Sequence, residues 1–240
     1  MAVKFTVEKN IFLGALNSLQ SITAKKGTMA ILGNILLQVQ NESIEMIGTD
    51  LEVGIKRTVE GQVFSPGAIT LPSKKLFEIV RESGTEAIEV EEQENNWVKI
   101  NTGKSVYNLA GISSEEYPQF PEYSEEDMVE ISTELIKELV EKTIFSVAQE
   151  RESNFTLTGI LLENDIRDDI HYLRMISSDG HRLTVMERES PVDISRFGIE
   201  RNIIIPRKGV AEIKRFCDGY EKIFMSGLSG VPHHDVAGEQ

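Results

Sequence analysis

The sequence predicts an α+β fold made of two similar units, each with two helices packed on antiparallel sheet. Three observations lead there: an internal repeat, an amphipathic helical stripe opening each half, and short alternating runs between the helices.

The strongest repeat match sets 72-PSKKLFEIVR-81 against 206-PRKGVAEIKR-215, which share Pro-x-Lys-x-x-x-Glu-Ile-x-Arg without a gap at an offset of 134. The run 35-ILL-37 returns as 160-ILL-162 at an offset of 125, and 46-MIGTDLE-52 as 175-MISSDGH-181 at 129. Both halves open alike, with 5-FTVEKNIFLGALNSLQSI-22 against 131-ISTELIKELVEKTIFSVA-148 at an offset of 126. Offsets that drift slowly in one order mark fixed elements separated by small loop insertions.

Val3, Phe5 and Val7 alternate like a strand. A helix over 8–22 follows, with Ile11, Phe12, Ala15, Leu16 and Leu19 on one stripe. Its counterpart over 132–148 carries Leu135, Ile136, Leu139, Val140, Ile144 and Val147, with Ser132 or Thr133 as N-cap. The second helices start just after Pro72 and Pro206, where a missing N–H costs little. Leu76, Phe77 and Ile79, and in the second half Val210, Ala211 and Ile213, supply their buried sides. Strands are expected at 86–92, 96–102 and 104–111. The acidic, proline-punctuated stretch 113–128 reads as the linker between units. The domains are therefore 1–121 and 129–226, and residues 227–240 form a tail without strand alternation.

Composition narrows the function. No run of 18 apolar residues exists to span a membrane, and the N-terminus lacks a signal-peptide core. The single cysteine, Cys217, excludes an internal disulfide, fits the cytoplasm and reads as a core residue. The net charge of −14, taken evenly, argues against nucleic acid. The charge is not even. Acids concentrate in 86–94 and in the linker, whereas Lys74 and Arg81, two helical turns apart, share a helix face, and Lys208 and Arg215 repeat the spacing. That pattern fits a basic face for phosphates. It fits equally well two solvated helix surfaces paired with their own Glu78 and Glu212. Asp179-Gly180-His181 resembles an acid–base pair, but no repeated nucleophile or spaced metal ligand accompanies it, so a structural Asp-Gly turn is preferred. The adjacent His233 and His234 lack spaced partners and belong to the tail. No cofactor motif is present, which leaves an enzyme reading without support. A two-domain protein-interaction module unrelated to DNA is the alternative.

The ordered set 3-VKFTVEKNIFLGALNSLQSIT-23, 31-ILGNILLQV-39, 48-GTDLEVGI-55, 178-SDGHRL-183 and 203-IIIPRKGVAEIKR-215 resembles the β subunit of bacterial DNA polymerase III, the sliding clamp. The resemblance implies tandem repeats of the DNA-clamp domain, three per chain, closing as a homodimeric ring whose helices line a hole for duplex DNA. It implies a non-catalytic processivity factor, with the chemistry in another subunit of the holoenzyme. Its partners would be double-stranded DNA, read without sequence preference, the polymerase catalytic subunit, the clamp loader and other proteins carrying a clamp-binding motif. By the same resemblance Lys26, Lys74, Lys75, Arg81, Lys208 and Arg215 meet DNA, with Gln149 and Arg151 as candidates in a second contact loop. Leu157, Ser178, Gly180, His181, Arg182 and Leu183 form one wall of a cleft for partner peptides. Lys104, Tyr107 and Leu109 lie on the ring-closing edge.

The chain departs from that pattern in two places. Ala30 stands where the family has proline, a change that loosens one turn. Only 34 residues follow Pro206, so two closing strands of the second domain and the whole third domain are expected to be missing. Such a fragment would close no ring in the family's manner and would bind partner peptides weakly.

Overall fold

The computed structural model describes residues 2–23, 29–121, 128–149, 157–190 and 203–225. The chain divides into two compact units, Met1–Phe120 and Pro121–Gln240.

In unit 1, β1 (Lys4–Glu8) runs directly into α1 (Lys9–Leu19). The helix begins there because the extended Glu8 accepts the backbone N–H groups of Asn10 and Ile11 at 2.8 and 2.9 Å. Those are donors that a helix start otherwise leaves open. The Asn10 bond first, then that from Ile11, holds the Glu8 carboxyl below its usual range. Four strands follow as β2 (Asn34–Gln40), β3 (Ser43–Thr49), β4 (Gly54–Glu60) and β5 (Gln62–Ser65). Then come β6 (Gly67–Pro72), α2 (Ser73–Glu82), β7 (Ala87–Glu92), β8 (Trp97–Asn101) and β9 (Val106–Ala110). They build two antiparallel sheets, β4-β3-β2-β6 and β5-β1-β7-β8-β9.

Unit 2 repeats the order with β10 (Val129–Ser132), α3 (Thr133–Thr143), β11 (Gly159–Arg167), β12 (Ile170–Ser178), β13 (Leu183–Glu189), β14 (Ile203–Pro206), α4 (Arg207–Cys217) and β15 (Lys222–Met225). Its sheet β13-β12-β11-β14 has the connectivity of β4-β3-β2-β6, and β10-β15 that of β1-β7. The register repeats as well. Asn34 pairs with Pro72 as Gly159 pairs with Pro206, and Leu36 with Ile47 as Leu161 with Ile176.

Packing corrects the opening offset. The buried stripe Phe12, Ala15, Leu16 and Leu19 in α1 corresponds to Ile136, Leu139, Val140 and Thr143 in α3, an offset of 124 rather than 126. Phe5 and Val7 likewise take the places of Val129 and Ile131. In sequence the two-residue slip was hidden because apolar residues three and four apart make the stripe similar in either frame.

Each unit has one core between its helices and the inner faces of its sheets. In unit 1 Phe5, Val7, Ile35, Leu37, Met46, Leu71, Ile88 and Val90 meet the helix residues Leu16, Leu76 and Val80. In unit 2 Ile131, Ile160, Leu162, Leu173, Met175 and Ile223 meet Ile136, Val140, Val210 and Cys217. Cys217 is buried, and burial pushes its thiol up.

Other expectations change in detail. The helices stop at Leu19 and Thr143, and in the second case a 3₁₀ turn, Ile144–Ser146, continues the chain. Ile11 and Ala211 are exposed, because each lies on the solvent side of its helix. Ser132 makes no side-chain cap. The Thr133 hydroxyl instead lies 2.7 Å from the Tyr220 carbonyl oxygen and 3.0 Å from that of Glu221, tying the start of α3 to the segment after α4. The segment taken as a linker is part of unit 1 through Phe120: Tyr117 is buried with Ile31, Leu32, Leu36 and Ile47, and Phe120 packs against them. Among the described residues, no helix is long and apolar enough to cross a membrane.

Candidate functional site

Three surfaces carry the residues singled out in the sequence. On α2, Lys74, Lys75 and Arg81 are all exposed, and the Lys74 side chain is 84% accessible. Leu76 and Val80 turn the opposite side into the core, which fixes the direction in which the cations project. Their partners are local carboxylates. Lys74 Nζ lies 3.9 Å from Glu78, and Arg81 Nε 2.9 Å from Glu82, with the guanidinium 5.4 Å from the centre of the Phe77 ring. Exposed pairs of this kind contribute at most about 1 kcal/mol, so a phosphate can exchange for the carboxylate.

The corresponding α4 is more tightly cross-linked. Arg215 pairs with Glu212 at 2.5 Å, and Lys208 is half-buried. Lys214 reaches across to Glu141 on α3 at 2.9 Å, while Lys137 of α3 meets Asp218 at the end of α4, also at 2.9 Å. The Lys214 bond holds the Glu141 carboxyl below its usual range, and Glu141 in turn raises the Lys214 ammonium. The two units thus repeat the cation spacing but not its availability. Gln149 is exposed beyond the 3₁₀ turn, whereas Lys26 and Arg151 lie outside the described residues.

The second surface surrounds the β12–β13 turn. Asp179 accepts the backbone N–H groups of His181 and Arg182 at 3.0 and 3.1 Å, and the Arg182 Nε–H at 2.8 Å. Those bonds, the one from His181 first, hold its carboxyl below the usual range. The carboxylate is therefore engaged in shaping a turn, and Gly180 at φ +88° supplies the left-handed position. Ser178 Oγ donates to the Arg182 carbonyl at 2.9 Å. Arg182 also donates to the Phe145 carbonyl at 2.9 Å and stacks 5.6 Å from the Phe145 ring centre, which anchors the turn to the end of α3. Leu157 is half-buried and accepts the Ala148 N–H at 3.0 Å.

Beside this turn runs an apolar row that the sequence did not show. Ile204, Leu161, Ile176 and Val185 stand side by side across β14, β11, β12 and β13. Leu183 is 68% exposed, Val185 52% and Ile204 42%, and Phe145 is exposed beside them. The row's four members sit on four different strands, so only the pairing register brings them together. Among the described residues, no group of three or more His, Cys, Asp or Glu is arranged to hold a metal ion.

The third surface is the edge strand β9. Lys104 and Tyr107 are exposed, but Leu109 points into the unit 1 core. A contact along this edge at Leu109 would therefore use its backbone, while Val106 adds an exposed apolar side chain that the sequence reading missed.

Architecture and surfaces together define a class: a tandemly repeated α+β protein with cationic helix faces, a segment-sized apolar face and an open sheet edge. Residues 3–121 match the N-terminal domain of the DNA polymerase III beta subunit, and residues 130–229 match its central domain. The chain belongs to that family. It is 31% identical over 222 residues to the beta sliding clamp of Vibrio cholerae and 32% identical over 218 residues to that of Escherichia coli. The alignments cover 92% and 90% of this chain but 58% and 57% of those proteins, so the chain spans little more than half their length. Among solved structures, the Caulobacter crescentus beta sliding clamp superposes with a TM-score of 0.83 at 29% identity, covering 93% of this chain and 59% of that one. The Bacillus subtilis DNA polymerase sliding clamp shares the fold with a TM-score of 0.85 at 24% identity, covering 95% and 60%.

Proposed function

We propose that this chain supplies two domains of a DNA sliding clamp, a non-catalytic, cytoplasmic processivity factor that encircles duplex DNA and tethers a polymerase and other partners to it. One observation carries the proposal: an otherwise acidic chain places Lys74, Lys75 and Arg81 on an exposed face of α2 that the core packing holds in position, and α4 repeats the Lys-x6-Arg spacing. Lys74, Lys75 and Arg81 contact the phosphate backbone, as do Lys208, Arg215 and Gln149 of unit 2, with Lys26 and Arg151 completing the set. Phosphate contacts carry no sequence information, which is what sliding requires. The face around Leu157, Ser178, Gly180, His181, Arg182 and Leu183 receives partner peptides, the apolar row burying their anchors and the turn orienting them. The β9 edge around Lys104 and Tyr107 is the edge that would meet another subunit's edge in a complete clamp.

Fluorescence anisotropy with two duplexes of equal length and unrelated sequence, over a salt series, tests the DNA reading. Equal affinities that fall together with salt are expected. A marked sequence preference, or no binding at low salt, would overturn it. The second outcome would favour a protein-interaction module, a reading that the net charge of −14 and the carboxylate partners of the helix cations also fit.

A further inference from the structure

The two outer sheet faces are built alike, and unit 1 covers its own with a segment of the same unit. In unit 1 the row matching Ile204, Leu161, Ile176 and Val185 is Thr70, Leu36, Ile47 and Lys56. Residues 112–120 of the same unit lie over it. Ile112 adds to the open edge of β6, exchanging backbone hydrogen bonds with Thr70 at 3.3 and 3.4 Å. The Thr70 hydroxyl also donates to the Ile112 carbonyl at 2.8 Å. Ser113 caps a short turn at Ser114–Glu116, which sends Tyr117 into the face. Its hydroxyl lies 3.3 Å from the Asn34 carbonyl oxygen and 3.2 Å from that of Ile47. Phe120 finishes the cover with its ring 5.9 Å from Lys56 Nζ.

These are the parts of a bound peptide: pairing to a sheet edge, then side-chain anchors in an apolar seat. One residue sets the two seats apart. Gly54 pairs with Thr49 as Leu183 pairs with Ser178, so the two occupy equivalent places. A Cβ at Gly54 would come 2.7 Å from the Phe120 ring. Leucine at that place denies a Phe120-like cover its position and exposes its own side chain instead.

We propose that residues 112–120 are an intramolecular ligand, and that the outer face of β4-β3-β2-β6 is a second segment-binding site, specific for an extended Tyr-Pro-x-Phe segment, which the chain fills with its own residues. The tether holds that segment at an effective concentration on the order of millimolar, so a free segment of the same kind competes poorly. The proposal stands whether or not unit 2 takes partner peptides.

The probe is a labelled synthetic peptide of residues 112–121, titrated into the 240-residue chain. A Tyr117→Ala/Phe120→Ala chain, which keeps the face but loses both anchors, should bind it saturably and at least ten-fold more tightly than the unaltered chain does. Adding Gly54→Leu should abolish that binding. A folded double variant that binds no peptide, or binding that survives Gly54→Leu, would overturn the proposal. If the double variant does not fold, hydrogen exchange on the unaltered chain decides. The amides of Ile112, Glu116 and Tyr117 should exchange well before those shared by β2 and β3. Exchange of both sets together, only on global unfolding, would show that the segment is not a detachable ligand.

Discussion

Asp50 and Asp179 close the same turn in the two units, 129 residues apart. Asp50 accepts the N–H groups of Glu52 and Val53 at 3.2 and 2.9 Å, as Asp179 accepts those of His181 and Arg182. Thr49 and Ser178 repeat each other too, each donating to the carbonyl four residues on and accepting the N–H two residues on. The difference lies at the residue after the aspartate: Leu51 holds φ +78° where unit 2 has Gly180 at +88°.

That difference gives a prediction about stability. A left-handed conformation costs a non-glycine residue about 1 kcal/mol or more, and Leu51 is exposed, so little packing offsets the strain. Leu51→Gly should therefore raise unit 1 stability by about 0.5–1 kcal/mol, and Gly180→Ala should lower that of unit 2 by about 1 kcal/mol. The only tryptophan, Trp97, lies in β8 of unit 1, so its fluorescence in urea follows that unit by itself. The first substitution should move the fluorescence midpoint. The second should move only the circular dichroism transition.

Alkaline pH should act on unit 1 through Tyr117. Burial pushes its hydroxyl up to about 12, from an unfolded value of 10.0. The folded state thus favours the neutral phenol. The stabilisation is fully present below pH 10 and is lost as pH rises toward 12, a loss of about 2 kcal/mol. Tyr117→Phe should cost about 1 kcal/mol at neutral pH for the missing hydrogen bond and should flatten this part of the profile. Trp97-monitored urea midpoints of both chains between pH 9 and 12 would show the difference; parallel profiles would contradict it.

The exposed face of unit 2 can be altered without touching the core. Leu183 is mostly accessible, so Leu183→Asp should leave the unfolding midpoint within about 0.5 kcal/mol of the original. It should weaken capture of a hydrophobic partner peptide at least ten-fold, read by anisotropy. Unchanged affinity would move the peptide site elsewhere.

Much of this was legible in the sequence because the signals were local. Pro72 and Pro206 mark helix starts, and Leu16 and Val140 sit on stripes that three residues of context suffice to identify. What stayed hidden depends on partners far along the chain. Leu161, Ile176, Val185 and Ile204 become a row only through strand register. Tyr117 looked like a residue in an acidic linker, since nothing nearby announces that it is buried against Leu36 and Ile47. Leu109 looked like an edge contact because strand alternation leaves open which face meets the core.

The measurement that bears most directly on the DNA-clamp reading is the salt dependence of duplex binding by the unaltered chain and by a Lys74→Glu/Lys75→Glu chain. Each lysine that neutralises a phosphate contributes about 0.9 to the slope of log K against log salt. Charge reversal at both should lower the slope by about 2 and weaken binding to every sequence equally. An unchanged slope, with the fold intact, would mean that α2 does not face DNA and that its cations are only a solvated helix surface.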